Sequence, residues 1–308
     1  MARKRTLQPD SAPRSAARSA PHPRDPGHVM RGATVLITGA ARGMGELYAR
    51  RAAREGAAAI ALWDVDTARA DALAAELART PATVRGGSAP RVRVFTVDVS
   101  DREAIRRGVA ETRTELGDPD VLINNAGIVR GALFWEHDPE QDIERTMRIN
   151  TLGPMWLTRE VLPAMIADTS RPKRILNIAS AAGTLANPRM SVYASSKWAM
   201  IGWAESVRLE LAGEGHRHVA VTTFCPSFIS TGMFAGARGP LLTPIMTPQR
   251  AVRDAWNGML AGTPMVLRPW TVKLAMAFRG VLPTRAWDVV AGRVFRVYSS
   301  MDRFTGRA

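Results

Sequence analysis

The sequence predicts an α/β protein built on a doubly wound parallel sheet, and three observations predict it. Short apolar runs alternate with segments of helical period across residues 33–267. The runs are continuously apolar rather than alternating, as strands buried on both faces require. A glycine cluster follows the first run and polar motifs follow later ones, at the carboxyl ends of strands where such sheets bind ligands.

Taken in order, ATVLIT at 33–38 is short, apolar and β-branched, the composition of a buried strand. GAARGMG at 39–45 supplies a loop, and ELYARRAAREG a helix stopped by Gly56. The cycle repeats with AAIALWD as strand, 67–79 as helix, RVRVFTVD as strand, 101–116 as helix, and DVLINNAG as strand and turn. A long helix over about 139–167 precedes the strand RILNIAS, a helix over 191–213 precedes VAVTTFCP, and PMVL at 264–267 offers a last strand. The resulting organisation is a Rossmann-type catalytic domain over 30–265, preceded by a basic tail and followed by a C-terminal helical extension over 266–308.

Composition narrows the function. Net charge is +14, yet residues 1–29 carry six basic and two acidic side chains and residues 264–308 carry eight and two, so the folded middle is nearly balanced. A nucleic-acid groove needs a basic stripe interleaved with stacking aromatics on a folded face, and none is found there. No nucleic-acid partner is therefore expected. Residues 1–29 are rich in Pro, Ser, Ala and Arg and poor in large apolar groups, which predicts a disordered tail. Met30, immediately before the first strand, is an alternative start. The single cysteine, Cys225, excludes an internal disulfide and a cysteine metal cluster, so the expected location is cytoplasmic and no metal is expected.

The motifs follow the strands. After the first, Gly39, Arg42, Gly43, Met44 and Gly45 form a turn whose free N–H groups, at the start of a helix, suit a pyrophosphate. Asp64 ends the second strand, where a carboxylate accepts bonds from ribose hydroxyls and repels a 2′-phosphate, favouring NAD over NADP. Arg42 argues weakly for NADP, since its guanidinium can pair with that phosphate. Tyr193 and Lys197 stand four apart, on one face of a helix. By itself that pair also fits an amphipathic helix with its tyrosine inward and its lysine in water.

Taken together, Gly39, Gly43 and Gly45, Asp98, NNAG at 124–127, Asn150, Ser180 and Tyr193-x-x-x-Lys197 resemble the short-chain dehydrogenase/reductase family over about 30–265. The resemblance implies a catalytic tetrad of Asn150, Ser180, Tyr193 and Lys197. It places Asp98 and Val99 at the adenine, Asn125, Ala126 and Gly127 along the adenosine side, and Pro226 and Thr231 at the nicotinamide. The family's Pro-Gly-x-x-x-Thr is altered at Ser227, which leaves Thr231 less fully supported. A tyrosine, with its ordinary pKa near 10, is a poor base at neutral pH; the Lys197 ammonium and an oxidised nicotinamide would lower it.

Substrate class is carried by the C-terminal third. Its apolar run broken by single basic residues, MVLRPWTVKLAMAFRGVLP, resembles the retinol and hydroxysteroid dehydrogenase branch, which implies a lipid-, retinoid- or steroid-like alcohol and its carbonyl. Trp270, Leu274, Phe278 and Val281 form one expected helical face, with Lys273 and Arg279 free to reach lipid head groups. A substrate lid, a dimer contact and a peripheral membrane contact are all compatible with it. The family implies a homodimer or homotetramer through the helices from 139 and 191. Two other readings of the same fold stay open: a non-catalytic NAD(P) sensor or scaffold, and an isomerase or dehydratase.

Overall fold

The computed structural model describes residues 27–83, 88–241 and 243–306. Seven strands, β1 (Thr34–Thr38), β2 (Ala59–Asp64), β3 (Arg91–Thr96), β4 (Val121–Asn124), β5 (Lys173–Ile178), β6 (Val219–Pro226) and β7 (Met265–Arg268), form one sheet in the order β3-β2-β1-β4-β5-β6-β7. Every pairing is parallel. The chain winds outward from β1 to β3, returns to β4 and winds the other way. A crevice therefore opens at the carboxyl ends of β1 and β4, where the connections part in opposite directions.

Successive strand residues serve opposite layers, because side chains alternate across a sheet. On one face Val35, Ile37, Ile60 and Leu62 pack with Tyr48, Ala49, Ala52 and Ala53 of α1 (Gly43–Arg54), Leu73 and Leu77 of α2 (Thr67–Leu77), and Trp256 and Met259 of α6 (Pro248–Leu260). On the other, Leu36, Ala61 and Trp63 pack with Ile105 and Val109 of α3 (Arg102–Leu116), Leu157 and Val161 of α4 (Gly153–Ala167), and Ala204 and Leu211 of α5 (Ser191–Gly213). Strands covered on both sides are why the runs read as continuously apolar.

Four expectations are corrected. Most of the tail over 1–29 lies outside the described residues, but Gly27–Met30 forms a helical turn and buries Val29 and Met30 against the first layer, so the folded chain begins earlier than Met30. The helix over 139–167 is interrupted by π-helical turns at Pro139–Glu144 and Arg148–Leu152. Pro154 explains the second turn, since it has no N–H to return to the Asn150 carbonyl in the α pattern. The domain boundary after 265 would cut β7, which runs to Arg268 because its pairing with β6 continues to Pro226. Lastly, the extension is helical only in α7 (Trp270–Val281), α8 (Thr284–Val289) and a π turn at Val290–Val294. Residues 295–306 run without a regular element.

Candidate active site

The crevice is organised first by Thr38, the last residue of β1. Its buried hydroxyl accepts the backbone N–H groups of Asn125 and Ala126, each at 3.0 Å, and so fixes the turn after β4 to the end of β1. Asn125 completes the clasp by donating Nδ2 to the carbonyls of Thr38 (2.9 Å) and Gly39 (3.0 Å). Asn125 thus secures the glycine loop rather than only lining it. Gly45 is needed for a different reason: a Cβ there would collide with the Gly39 carbonyl, so α1 approaches β1 only without a side chain.

Asp64 is similarly committed to the loop. One carboxylate oxygen accepts the Ala41 N–H at 2.8 Å and the other the Asp66 N–H at 3.0 Å. Arg42 is exposed at the rim and precedes α1 without a side-chain bond capping that helix. Among the described residues no side chain caps the first-turn N–H groups, which stand beside the cleft lined by Gly43 and Met44. A Cβ at Gly43 would meet nothing within 4 Å, so the loop leaves space beside those donors. Donors and space together fit the pyrophosphate of a dinucleotide.

One cleft gathers Gly39, Arg42, Gly43, Met44, Asp64, Asp98, Val99, Asn125, Ala126, Gly127, Ser180, Tyr193, Lys197, Pro226 and Thr231. Gly45 and Asn150 stand behind the wall. Asn150 is fully buried in the π turn, where its amide accepts from Ile128 N (2.9 Å) and donates to Ile128 O (2.9 Å) and Ser196 Oγ (3.1 Å). Its Oδ1 and the Lys197 Nζ both come within 4 Å of the Cβ position of Gly127. A side chain at 127 would crowd both.

Ser180 follows β5, and Tyr193 and Lys197 stand on the first two turns of α5. All three are buried. Ser180 Oγ accepts the Ala182 N–H at 3.1 Å and is near enough to the Tyr193 hydroxyl to lower its pKa. Lys197 Nζ donates to Ile178 O at 2.9 Å and lies 5.7 Å from the Tyr193 ring centroid. Burial pushes the Tyr193 hydroxyl up to about 12, against Ser180, which lowers it. Burial likewise brings Lys197 down to about 8. In the protein by itself desolvation dominates the tyrosine.

A second pocket meets the cleft at Ser180, Ser227 and Phe234. Its walls are largely apolar, from Leu185, Phe228, Leu274, Phe278, Trp287 and Phe295. Trp270, Leu274 and Phe278 of the expected helical face line this cavity, whereas Val281 is 83% exposed. Arg279 is not free as expected: it donates to Thr184 O at 3.0 Å and lies 4.7 Å from the Trp198 ring centroid. The sequence reading missed Thr38, Phe228, Phe234 and Trp287. Thr38 was visible at a strand end, but the others carry no motif and are assembled only by tertiary packing.

The chain matches the family model for short chain dehydrogenases over residues 33–240. It is 34% identical to the epidermal retinol dehydrogenase 2 of Mus musculus over 90% of this chain and 86% of that one. It is also 34% identical to the estradiol 17-beta-dehydrogenase 11 of Rattus norvegicus, over 85% and 84%. Among solved structures it resembles a short chain dehydrogenase/reductase from Burkholderia phymatum in complex with NAD, with TM-score 0.70 and 22% identity over 82% of this chain and 94% of that one, a likeness of fold. A dehydrogenase/reductase from Sinorhizobium meliloti 1021 aligns with TM-score 0.66 and 28% identity over 79% and 96%. The chain belongs to the short-chain dehydrogenase/reductase family, in the branch of the retinol and hydroxysteroid dehydrogenases, and is an NAD(P)-dependent oxidoreductase of CH–OH groups.

Proposed function

We propose that this enzyme interconverts a bulky hydrophobic alcohol, of lipid, retinoid or steroid character, and its carbonyl, with NAD as the preferred cofactor. The observation that carries the substrate class is the apolar cavity opening onto the dinucleotide cleft at Ser180. A small polar alcohol would gain little from such walls, whereas an aliphatic or polycyclic one replaces water along its length.

Ser180 and Tyr193 hold the substrate oxygen between them. When bound, NAD would supply the acceptor for the hydride of the carbinol carbon and a positive charge that favours the Tyr193 phenolate. The phenolate takes the hydroxyl proton as the carbonyl forms, and in reduction the phenol returns it. Lys197, fixed by Ile178 O, presents its remaining protons to the cofactor ribose and to a water relay supported by Asn150. Asp64 supports NAD, because its carboxylate stands at the end of β2 and would repel a 2′-phosphate.

The enzyme is further read as a homodimer or homotetramer, with the exposed Leu152, Trp198 and Leu209 beside and on the long helices as candidate contacts. A cytoplasmic protein with peripheral membrane contact is proposed from Trp270, 66% exposed, Val281 and the basic extension. Among the described residues no helix is long and apolar enough to cross a membrane. Sedimentation with anionic and neutral vesicles tests that contact, which fails if the protein stays in the supernatant with anionic vesicles at low salt. The function is tested by NADH formation against a panel of short alcohols, long aliphatic alcohols, sterols and retinoids. Turnover should be confined to the bulky members; preference for short alcohols would refute the substrate class.

A further inference from the structure

Residues 295–306 lack regular structure, yet they are tied along their length to the loop that carries Phe234. Leu241 N donates to Phe295 O (2.9 Å), Arg238 N to Ser300 O (2.9 Å), and Thr305 N to Ala235 O (3.0 Å). At Gly236 the two backbones touch so closely that a Cβ would collide with the Arg303 carbonyl. A side-chain bond from Asn187 Nδ2 to Ser300 Oγ (2.8 Å) fastens the same segment to the loop before α5.

Two side chains then turn inward. Met301 is buried in a cluster with Tyr193, Met190 and Phe228, against which Phe234 and Phe304 pack. The Phe304 ring lies on the bare backbone of Gly131, where a Cβ would strike it. Phe234 meets Tyr193 edge to face at 5.8 Å and Phe228 at 5.3 Å, and it forms part of both the cofactor cleft and the apolar cavity. The chain's last described residues therefore buttress the wall at which the two chambers meet.

We propose that Met301 and Phe304 are positioning residues: they hold the 232–241 loop so that Phe234 closes beside Tyr193 and seats the alcohol at the junction. Neither lines the cleft or the apolar pocket, and they act through Phe234. The inference rests on the oxidoreductase reading above and adds to it the source of substrate alignment. Apolar contact at such a position is a matter of filled volume, so a side chain of similar size should serve and a small one should not.

The experiment compares the full-length parent with Met301→Ala, Met301→Leu and Gly131→Ala, the last displacing Phe304 from outside without emptying the cluster. Hydrogen exchange of the peptide spanning 232–241 should be about tenfold faster in Met301→Ala and Gly131→Ala and near the parent in Met301→Leu. The KM for the best alcohol of the panel should rise about tenfold in the first two variants while the KM for NAD stays within about twofold. Unchanged exchange in both folded variants overturns the proposal, and so does faster exchange with an unchanged alcohol KM. A parent that oxidises no alcohol defeats the functional reading instead, and exchange then decides the role of the strap by itself.

Discussion

The two chambers of the site are held together by different forces. The cofactor cleft is fastened by hydrogen bonds of defined direction: Thr38 and Asn125 clasp the turn after β4, and Asp64 holds Ala41 and Asp66. Each needs a hydrogen-bonding side chain of suitable reach at one position. The apolar cavity is walled by side chains such as Leu185, Phe228, Trp287 and Phe295, whose contribution is volume and which many sequences can supply. The difference predicts where this protein tolerates change: the cleft should be the less tolerant of single substitutions and the cavity the more readily reshaped.

The largest effect is expected where the chambers meet. Tyr193→Phe should lower kcat by about a thousandfold, since it removes the proton exchanged in the chemical step, with NADH affinity nearly unchanged. Steady-state turnover with fluorescence titration of NADH measures both, and equal turnover would remove Tyr193 from the mechanism. Next comes the cleft itself. Gly45→Ala should weaken NADH binding by about a hundredfold, because the Gly39 carbonyl must shift and carry the loop with it. Leu274→Met in the cavity offers the contrast, and a similar loss there would erase the distinction between the two regions.

Asp64 sharpens the comparison, since it holds the loop and is proposed to set cofactor selectivity as well. Alanine would release the loop along with the charge; Asp64→Asn keeps one acceptor, for Ala41, and removes the charge together with the acceptor for Asp66. The ratio of kcat/KM for NAD over NADP should fall about tenfold in that variant. If the parent already prefers NADP, Arg42 outweighs Asp64.

This double use of Asp64 marks the limit of what the sequence makes legible. The glycine loop, Asp64, the NNAG turn, Ser180 and the Tyr193–Lys197 spacing are local patterns beside strands, so they could be read and placed. Asn125 as a clasp and Thr38 as its anchor could not, since they meet across 87 residues of sequence. The same holds for Phe234 and Met301: apolar side chains in irregular segments leave no periodicity, and only the folded chain brings them to Tyr193. The π turn at Asn150 had a visible cause in Pro154, although a helical pattern of apolar residues masked it.

A smaller effect is expected from Lys197 in the cofactor-free protein. Burial holds it at about 8 against an ordinary 10.5. Between these values the unfolded chain keeps a proton that the folded chain has lost, so stability from this group rises with pH across that window and is constant below it. Lys197→Met, which also leaves the Ile178 carbonyl without this donor, should be more stable than the parent by about 2 kcal/mol at pH 7. The gap should narrow toward pH 10. Thermal unfolding across that range checks it, and a less stable variant at pH 7 would mean that the bond to Ile178 outweighs desolvation.

The central claim is that hydride passes directly from a bulky alcohol, seated in the apolar cavity, to a nicotinamide in the cleft beside Tyr193. The most direct measurement uses the best long-chain, sterol or retinoid alcohol of the panel, deuterated at its carbinol carbon, with the NADH product examined by mass spectrometry and NMR. The account expects one deuterium on C4 of the nicotinamide for each carbonyl formed. A carbonyl product accompanied by NADH without that deuterium would contradict direct transfer.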